Sequence, residues 1–161
     1  MRILLSLVVC LSLIVAPAVS QARGTSAKRA SSGEQQVLVL LNQIRVEHGL
    51  APFAASAALH NAARFHSSDM LEGGYFDHNS PTQAWDARIA RYLEAPLIGE
   101  DIAWGQGSYG TPEGIVSQWM HSRTHRAIIL TAGLHRIGIG LATGTFSGAP
   151  GAVMATADFA A

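Results

Sequence analysis

Apolar residues begin to recur at helical spacing just after residue 34. Val37, Leu40, Leu41 and Ile44 fall at i, i+3, i+4 and i+7, the stripe of a helix that turns one face to a core. Ser31 or Ser32 is placed to cap its start and Gly49 to stop it. Ala51-Pro52-Phe53 reads as a turn, after which Ser56 caps a second helix carrying Leu59, Ala62, Ala63, His66 and Met70 on one face, ended by Gly73-Gly74. A third helix is predicted from Gln83 to Tyr92. A fourth begins at Pro112, carries Ile115, Val116, Trp119 and Met120, and runs toward Ser122, where Arg123 and Thr124 can break it. Gly99 to Trp104 reads as a short buried strand led by two acids. Arg136 to Leu141 and Val153 to Phe159, joined by a turn around Gly148-Ala149-Pro150-Gly151, read as an antiparallel hairpin. The pattern predicts an α+β domain of three or four helices packed on an antiparallel sheet.

The chain ahead of this domain has a different pattern. Met1 to Ser20 carries one Arg, an apolar run from Ile3 to Ala16, and small residues Ala18 and Ser20 before a polar stretch. That is the pattern of a secretory signal peptide cleaved near Ser20, leaving Gln21 or the residue after Ala22 as the new N-terminus. A membrane anchor needs about 20 apolar residues, and this run is shorter. Residues 21–33 are small, polar and basic without periodicity and read as a flexible leader to a domain spanning 34–161. The expectation is a secreted or periplasmic monomer with no membrane span after cleavage.

Cysteine usage narrows the chemistry. Cys10 is the single cysteine and lies in the apolar run, where Val9 is too large to precede a lipidated cysteine. A chain processed near Ser20 holds neither a disulfide nor a cysteine-bound zinc, so its stability rests on packing and any metal on histidines or carboxylates. The 11 basic and 11 acidic side chains balance to a net charge of +0, and the basic residues are scattered. No basic stripe points to nucleic acid.

Candidate chemistry sits in three stretches. Trp119-Met120-His121-Ser122-Arg123-Thr124-His125-Arg126 sets two histidines and a hydroxyl between apolar anchors, an arrangement that borders a cavity. Phe76-Asp77-His78-Asn79-Ser80-Pro81 puts His78 on a loop, as a ligand or a solvated side chain. Glu100 and Asp101 lead a buried strand, where a carboxylate needs a cation or hydrogen bonds, whether to orient a histidine or metal or to tie down backbone amides. The chain is read as scaffolding that brings His78, Glu100 and His125 together, with Asp101 on the opposite face of its strand. His121 and His125 have i, i+4 spacing but lack the Glu of H-E-x-x-H. His66 is expected as a satisfied core histidine, and His48, His60 and His135 as surface or edge residues. Gly105-Gln106-Gly107-Ser108-Tyr109-Gly110 matches G-x-G-x-x-G, but no second βαβ unit with a ribose-binding acid follows, so no nucleotide is expected. It reads as a mobile glycine loop at the cavity rim.

Taken together, Phe76-x-His78, Gly99-Glu100-x-Ile102-Ala103, Trp119-Met120-x-Ser122-x-x-His125-Arg126 and Ile137-Gly138-Ile139-Gly140 resemble the bacterial branch of the CAP superfamily, the SCP-like extracellular domains, from Glu34 to Phe159. The resemblance implies an α-β-α sandwich and a cavity lined by two histidines and two glutamates. Carried over, these are His78, Glu100 and His125, while the second glutamate falls where this chain has Ser122. Asp101 stands where the family usually has Asn, and His121 where bacterial members often have Asn.

The resemblance links such domains to zinc, lipid or sterol carriage, proteolysis and cell-wall association without one shared reaction. It implies a module binding a lipid, envelope or peptide ligand, with weak binding of zinc or another divalent metal at His78 and His125. The alternative is a metal-dependent hydrolase with Glu100 as general base. A third reading makes Ser122 a nucleophile with His125 as base and Glu100 as orienter, although no G-x-S-x-G elbow surrounds Ser122.

Overall fold

The computed structural model describes residues 30–161. The 1–20 leader, its cleavage near Ser20, Cys10 and most of the 21–33 segment lie outside the described residues. Helix α1 (Ser32–Glu47) takes in the last two residues of that segment. It starts on a capping box, in which Ser31 accepts from the Glu34 amide and Glu34 accepts from the Ser31 amide. Strand β1 (Ala54–Ala55) precedes α2 (Ala57–Gly73), which is capped by Ser56 and ended by left-handed Gly74. Then come α3 (Trp85–Ala90), β2 (Ile98–Gly105), a 3-10 turn (Gly107–Gly110), α4 (Pro112–His121), α5 (Arg123–Ile129), β3 (Arg136–Phe146) and β4 (Ala149–Ala160).

The sheet order is β1-β3-β4-β2, antiparallel except that β1 lies parallel to β3. Helices pack on both faces, the α-β-α sandwich expected. Three features depart from the sequence pattern. The described residues hold five helices, because Ser122 turns extended (ψ 124°) and separates α4 from α5. The sheet gains a parallel edge strand too short for any periodicity to announce. The hairpin turn is tighter than read: Ser147 and Gly148 both have positive φ, and Ala149 and Pro150 already belong to β4.

Alternation along the strands assigns the two faces. Gly138 and Gly140 lie under α2 so closely that a Cβ on either would meet α2 backbone within about 2.0–2.2 Å. The residues between and beside them, Ile137 and Ile139, face the other way into the main core with Val37, Leu41, Trp119, Ile129 and Phe159. On β2, Ile102 joins the cluster around Met70 beneath α2, whereas Ala103 joins the main core. Glu100 therefore shares the α2 face and Asp101 the α1, α4 and α5 face.

Arg45 locks α5 in place. Its buried guanidinium donates to the carbonyls of Ala51, Ile129, Thr131 and Leu134 and lies 3.9 Å from the Phe53 ring centroid. Satisfying carbonyls at the C-terminal end of α5 fixes the helix that carries His125. Among the described residues no helix is long and apolar enough to cross a membrane.

Candidate functional site

Glu100 sits in the middle of β2 and is only 3% exposed, so each of its oxygens needs a partner. Oε1 lies 2.8 Å from His78 Nδ1. Oε2 accepts from Arg88 Nη2, and His66 Nε2 lies 3.9 Å from the same oxygen. Arg88, on α3, is buried and also donates through Nη1 to Asp158 Oδ2 at 3.2 Å and to the Ala62 carbonyl at 3.4 Å. Asp158 is the β4 residue directly opposite Glu100. Two carboxyl groups thus share one guanidinium. Burial, and then the charge of Glu100, push the Asp158 pKa well above the usual carboxylate range.

His78 is held by this arrangement on its loop, with a side chain 43% exposed. The Glu100 hydrogen bond raises its pKa against the opposing effect of burial. Pairing Nδ1–H with a carboxylate leaves the Nε2 lone pair free. His125, on α5, is lowered by burial and then by the charge of His78, so the imidazoles are near enough to repel when protonated. The structure thus brings His78 and Glu100 into contact and His125 into electrostatic range.

Two hollows extend from this centre. One of about 350 Å³ is lined by His78, Glu100, Trp85, Ile98, Ile128 and Leu134 among others. The other, of about 250 Å³, is lined by Phe76, Ile102, Trp104, Trp119, Ser122 and His125 among others. His78 and Glu100 line the first hollow and His125 the second, each among apolar side chains.

Several expectations are corrected. Ser122 Oγ pairs with Thr124 Oγ1 at 3.0 Å, and Glu100 bonds His78, not His125, so a Ser122–His125–Glu100 triad is not assembled. His121 is exposed and its Nδ1 contacts the Ser117 carbonyl at 2.7 Å, in a separate hollow with Ser108 and Tyr109. The break at Ser122 removes the i, i+4 register with His125. The glycine segment borders that separate hollow, not the His78–His125 cleft. His66 is fully buried and half satisfied: Nε2 lies 3.0 Å from the Asp77 carbonyl, while Nδ1 has no partner among the described residues. His60, at the edge as expected, is half-buried, with Nε2 3.4 Å from buried Glu34. The sequence reading missed Arg88 and Asp158. A single acid in the apolar run from Val153 to Phe159 was the available signal for Asp158.

Among the described residues no group of three or more His, Cys, Asp or Glu side chains is placed to hold a metal ion. Glu100 orients the His78 ring by its contact with Nδ1.

The α-β-α sandwich is the fold of SCP-like domains. The profile of the cysteine-rich secretory protein family, CAP, matches residues 38–159. The chain is 37% identical over 130 residues to the uncharacterised protein YkwD of Bacillus subtilis, covering 78% of this chain and 49% of that one. It superposes on an extracellular protein containing a SCP domain from Bacillus anthracis with TM-score 0.66 and 28% identity, covering 80% of this chain and 40% of the other. An outer surface protein of Borrelia burgdorferi shares the fold at TM-score 0.67 and 16% identity, over 78% and 89% of the two chains. The chain belongs to the CAP family. It spans about half the length of YkwD.

Proposed function

We propose that this CAP domain is an extracellular binding module whose cleft holds a lipid, envelope or peptide ligand around His78, Glu100 and His125. Divalent metal binding at the two imidazoles is weak and reversible. The observation that carries this reading is the bonding of Glu100, whose two oxygens are engaged by His78 and Arg88 on the wall of a largely apolar hollow. A hydrolase needs a general base within reach of a reacting water. Glu100 is buried and bonded on both oxygens, which favours binding over the hydrolase alternative. A metal bound to His78 and His125 would supply Lewis acidity toward a polar group of the ligand.

The test is a binding screen of peptidoglycan fragments, peptides and phospholipid vesicles against the wild-type protein, His78→Ala and the double variant His78→Ala, Glu100→Gln. The reading expects a ligand whose affinity drops at least tenfold in both variants. A bound ligand indifferent to both substitutions, or hydrolysis of a probe that the double variant abolishes, overturns it.

The extracellular assignment rests on the pattern of residues 1–20. Intact mass of the exported protein checks it: a mature chain beginning at Gln21 or Arg23 is expected, and one still beginning at Met1 or lipidated on Cys10 contradicts it.

A further inference from the structure

Strand β2 lies at the outer edge of the sheet and has one strand neighbour, β4. The Ala161 amide donates to the Leu97 carbonyl at 2.9 Å, and the same register runs through Gly99 with Phe159, Asp101 with Ala157 and Ala103 with Ala155. Hydrogen-bonded and non-hydrogen-bonded pairs alternate in an antiparallel ladder. The odd-numbered residues therefore turn N–H and C=O toward β4, and Ile98, Glu100, Ile102 and Trp104 turn theirs to the free edge. Among the described residues these outward groups have no backbone partner.

Edges of this kind are usually guarded by lysine, proline or a bulge. Residues 98–105 contain no lysine or proline, and their pairing with β4 runs without a bulge. The edge is instead recessed, with six of the eight residues buried. The two hollows lie along it, and each takes walls from both helical layers. His78 and Trp85 face Ile128 across Ile98 to Glu100. Phe76 faces Trp119 and His125 across Ile102 to Trp104. Recession between these walls disfavours the edge of a second copy, which would have to enter with its own helices attached.

The chemistry of this floor selects its occupant. An acyl chain or a sterol fills apolar hollows but offers nothing to four outward N–H and four outward C=O groups, and each group left buried and unpaired is unfavourable. An extended polypeptide carries the matching alternation of donors and acceptors, and its side chains alternate between the two walls.

We propose that the cleft binds an extended peptide segment as a fifth strand along the outer edge of β2, with apolar side chains in the two hollows and a central residue facing His78 and His125. At about 3.4 Å per residue, the stretch from Ile98 to Trp104 spans roughly 20 Å and engages five to seven ligand residues. The inference rests on the cleft being a binding site and narrows its ligand to polypeptide.

The test begins with amide exchange followed by NMR on the purified protein. Ile98, Glu100, Ile102 and Trp104 are expected to exchange faster than Gly99, Asp101 and Ala103. A library of capped heptapeptides with apolar residues at alternate positions is then screened, and the tightest peptide is remade with an N-methyl group at each position in turn. Methylation at every second residue should lower affinity at least tenfold and at the intervening residues less than twofold. Saturation with the parent peptide should slow the four even-numbered amides at least tenfold. Ile102→Pro removes one outward N–H without touching the β4 ladder and should weaken the peptide tenfold, with Ile102→Val as control. If the proline variant does not fold, exchange on the wild type decides.

Affinity indifferent to N-methylation, or no protection of the even-numbered amides, overturns the proposal. Phospholipid or peptidoglycan bound in a His78-dependent way without any peptide binder overturns it while leaving the cleft a binding site. If no probe binds, both readings fail. Concentration-dependent protection of the same amides in the free protein, with a dimer in sedimentation, assigns the edge to a second copy instead.

Discussion

Glu100 and Asp101 are neighbours on one buried strand, yet they meet opposite surroundings. Glu100, on the α2 face, finds a guanidinium and an imidazole. Asp101, on the face of α1, α4 and α5, is fully buried with both oxygens unpartnered among the described residues. Burial, and then the charge of Glu100, push its pKa up to about 8. A buried ion without a partner costs several kcal/mol, whereas a neutral acid lacking a hydrogen bond costs about 1–3 kcal/mol. Asp101 is therefore carried as a protonated acid near neutrality. One face of the sheet gives its carboxylate a cation and a histidine, and the other leaves its carboxyl group without a counter-charge.

The largest effects should come from removing what defines each face. Trp119 is fully buried at the centre of the apolar face, and Trp119→Ala is expected to cost about 3–5 kcal/mol. A urea midpoint equal to wild type would show that the ring does not anchor that core. On the charged face, Arg88→Leu leaves Glu100 and Asp158 without their cation and should also cost about 3–5 kcal/mol. Adding Glu100→Gln to Arg88→Leu should restore part of that loss. A double variant as unstable as the sum of its single changes would mean that Arg88 acts by packing alone.

A graded effect follows from the titration of Asp101. With a folded pKa of about 8 against the ordinary value of 3.8, Asp101 keeps a proton that the unfolded chain releases. Its contribution is complete below pH 4 and is lost as pH rises toward 8, at about 1.4 kcal/mol per pH unit. Asp101→Asn holds no titratable proton, so its stability relative to wild type should climb between about pH 5 and 7.5. Denaturation midpoints whose difference stays constant over that range would contradict the partnerless state of Asp101.

The apolar face was the easier one to read from sequence. Its helices repeat at 3.6 residues, and the α4 positions Ile115, Val116 and Trp119 are buried as that period requires. Of the three candidate site residues, the structure joins His78 to Glu100 and places His125 on the wall of the second hollow. Arg88 escaped because a cation on a six-residue helix looks like a solvated side chain until the sheet places Glu100 and Asp158 opposite it. Asp158 escaped because its partner lies 70 residues away, a separation that no local pattern spans. Strand β1 left no periodic trace, since two alanines carry no β signal. The break at Ser122 mattered more than its length suggests, because it decides that His125 and not His121 reaches the cleft.

The central claim is that His78 and His125 act as one site supported from behind by Glu100. Calorimetric titration with zinc at pH 7.5 tests it most directly, on wild type, His78→Ala and His125→Ala. The account predicts weak binding by the wild type and at least a tenfold loss in each variant, about 1.4 kcal/mol. Zinc held by both variants as tightly as by wild type would contradict it and move the metal to other side chains.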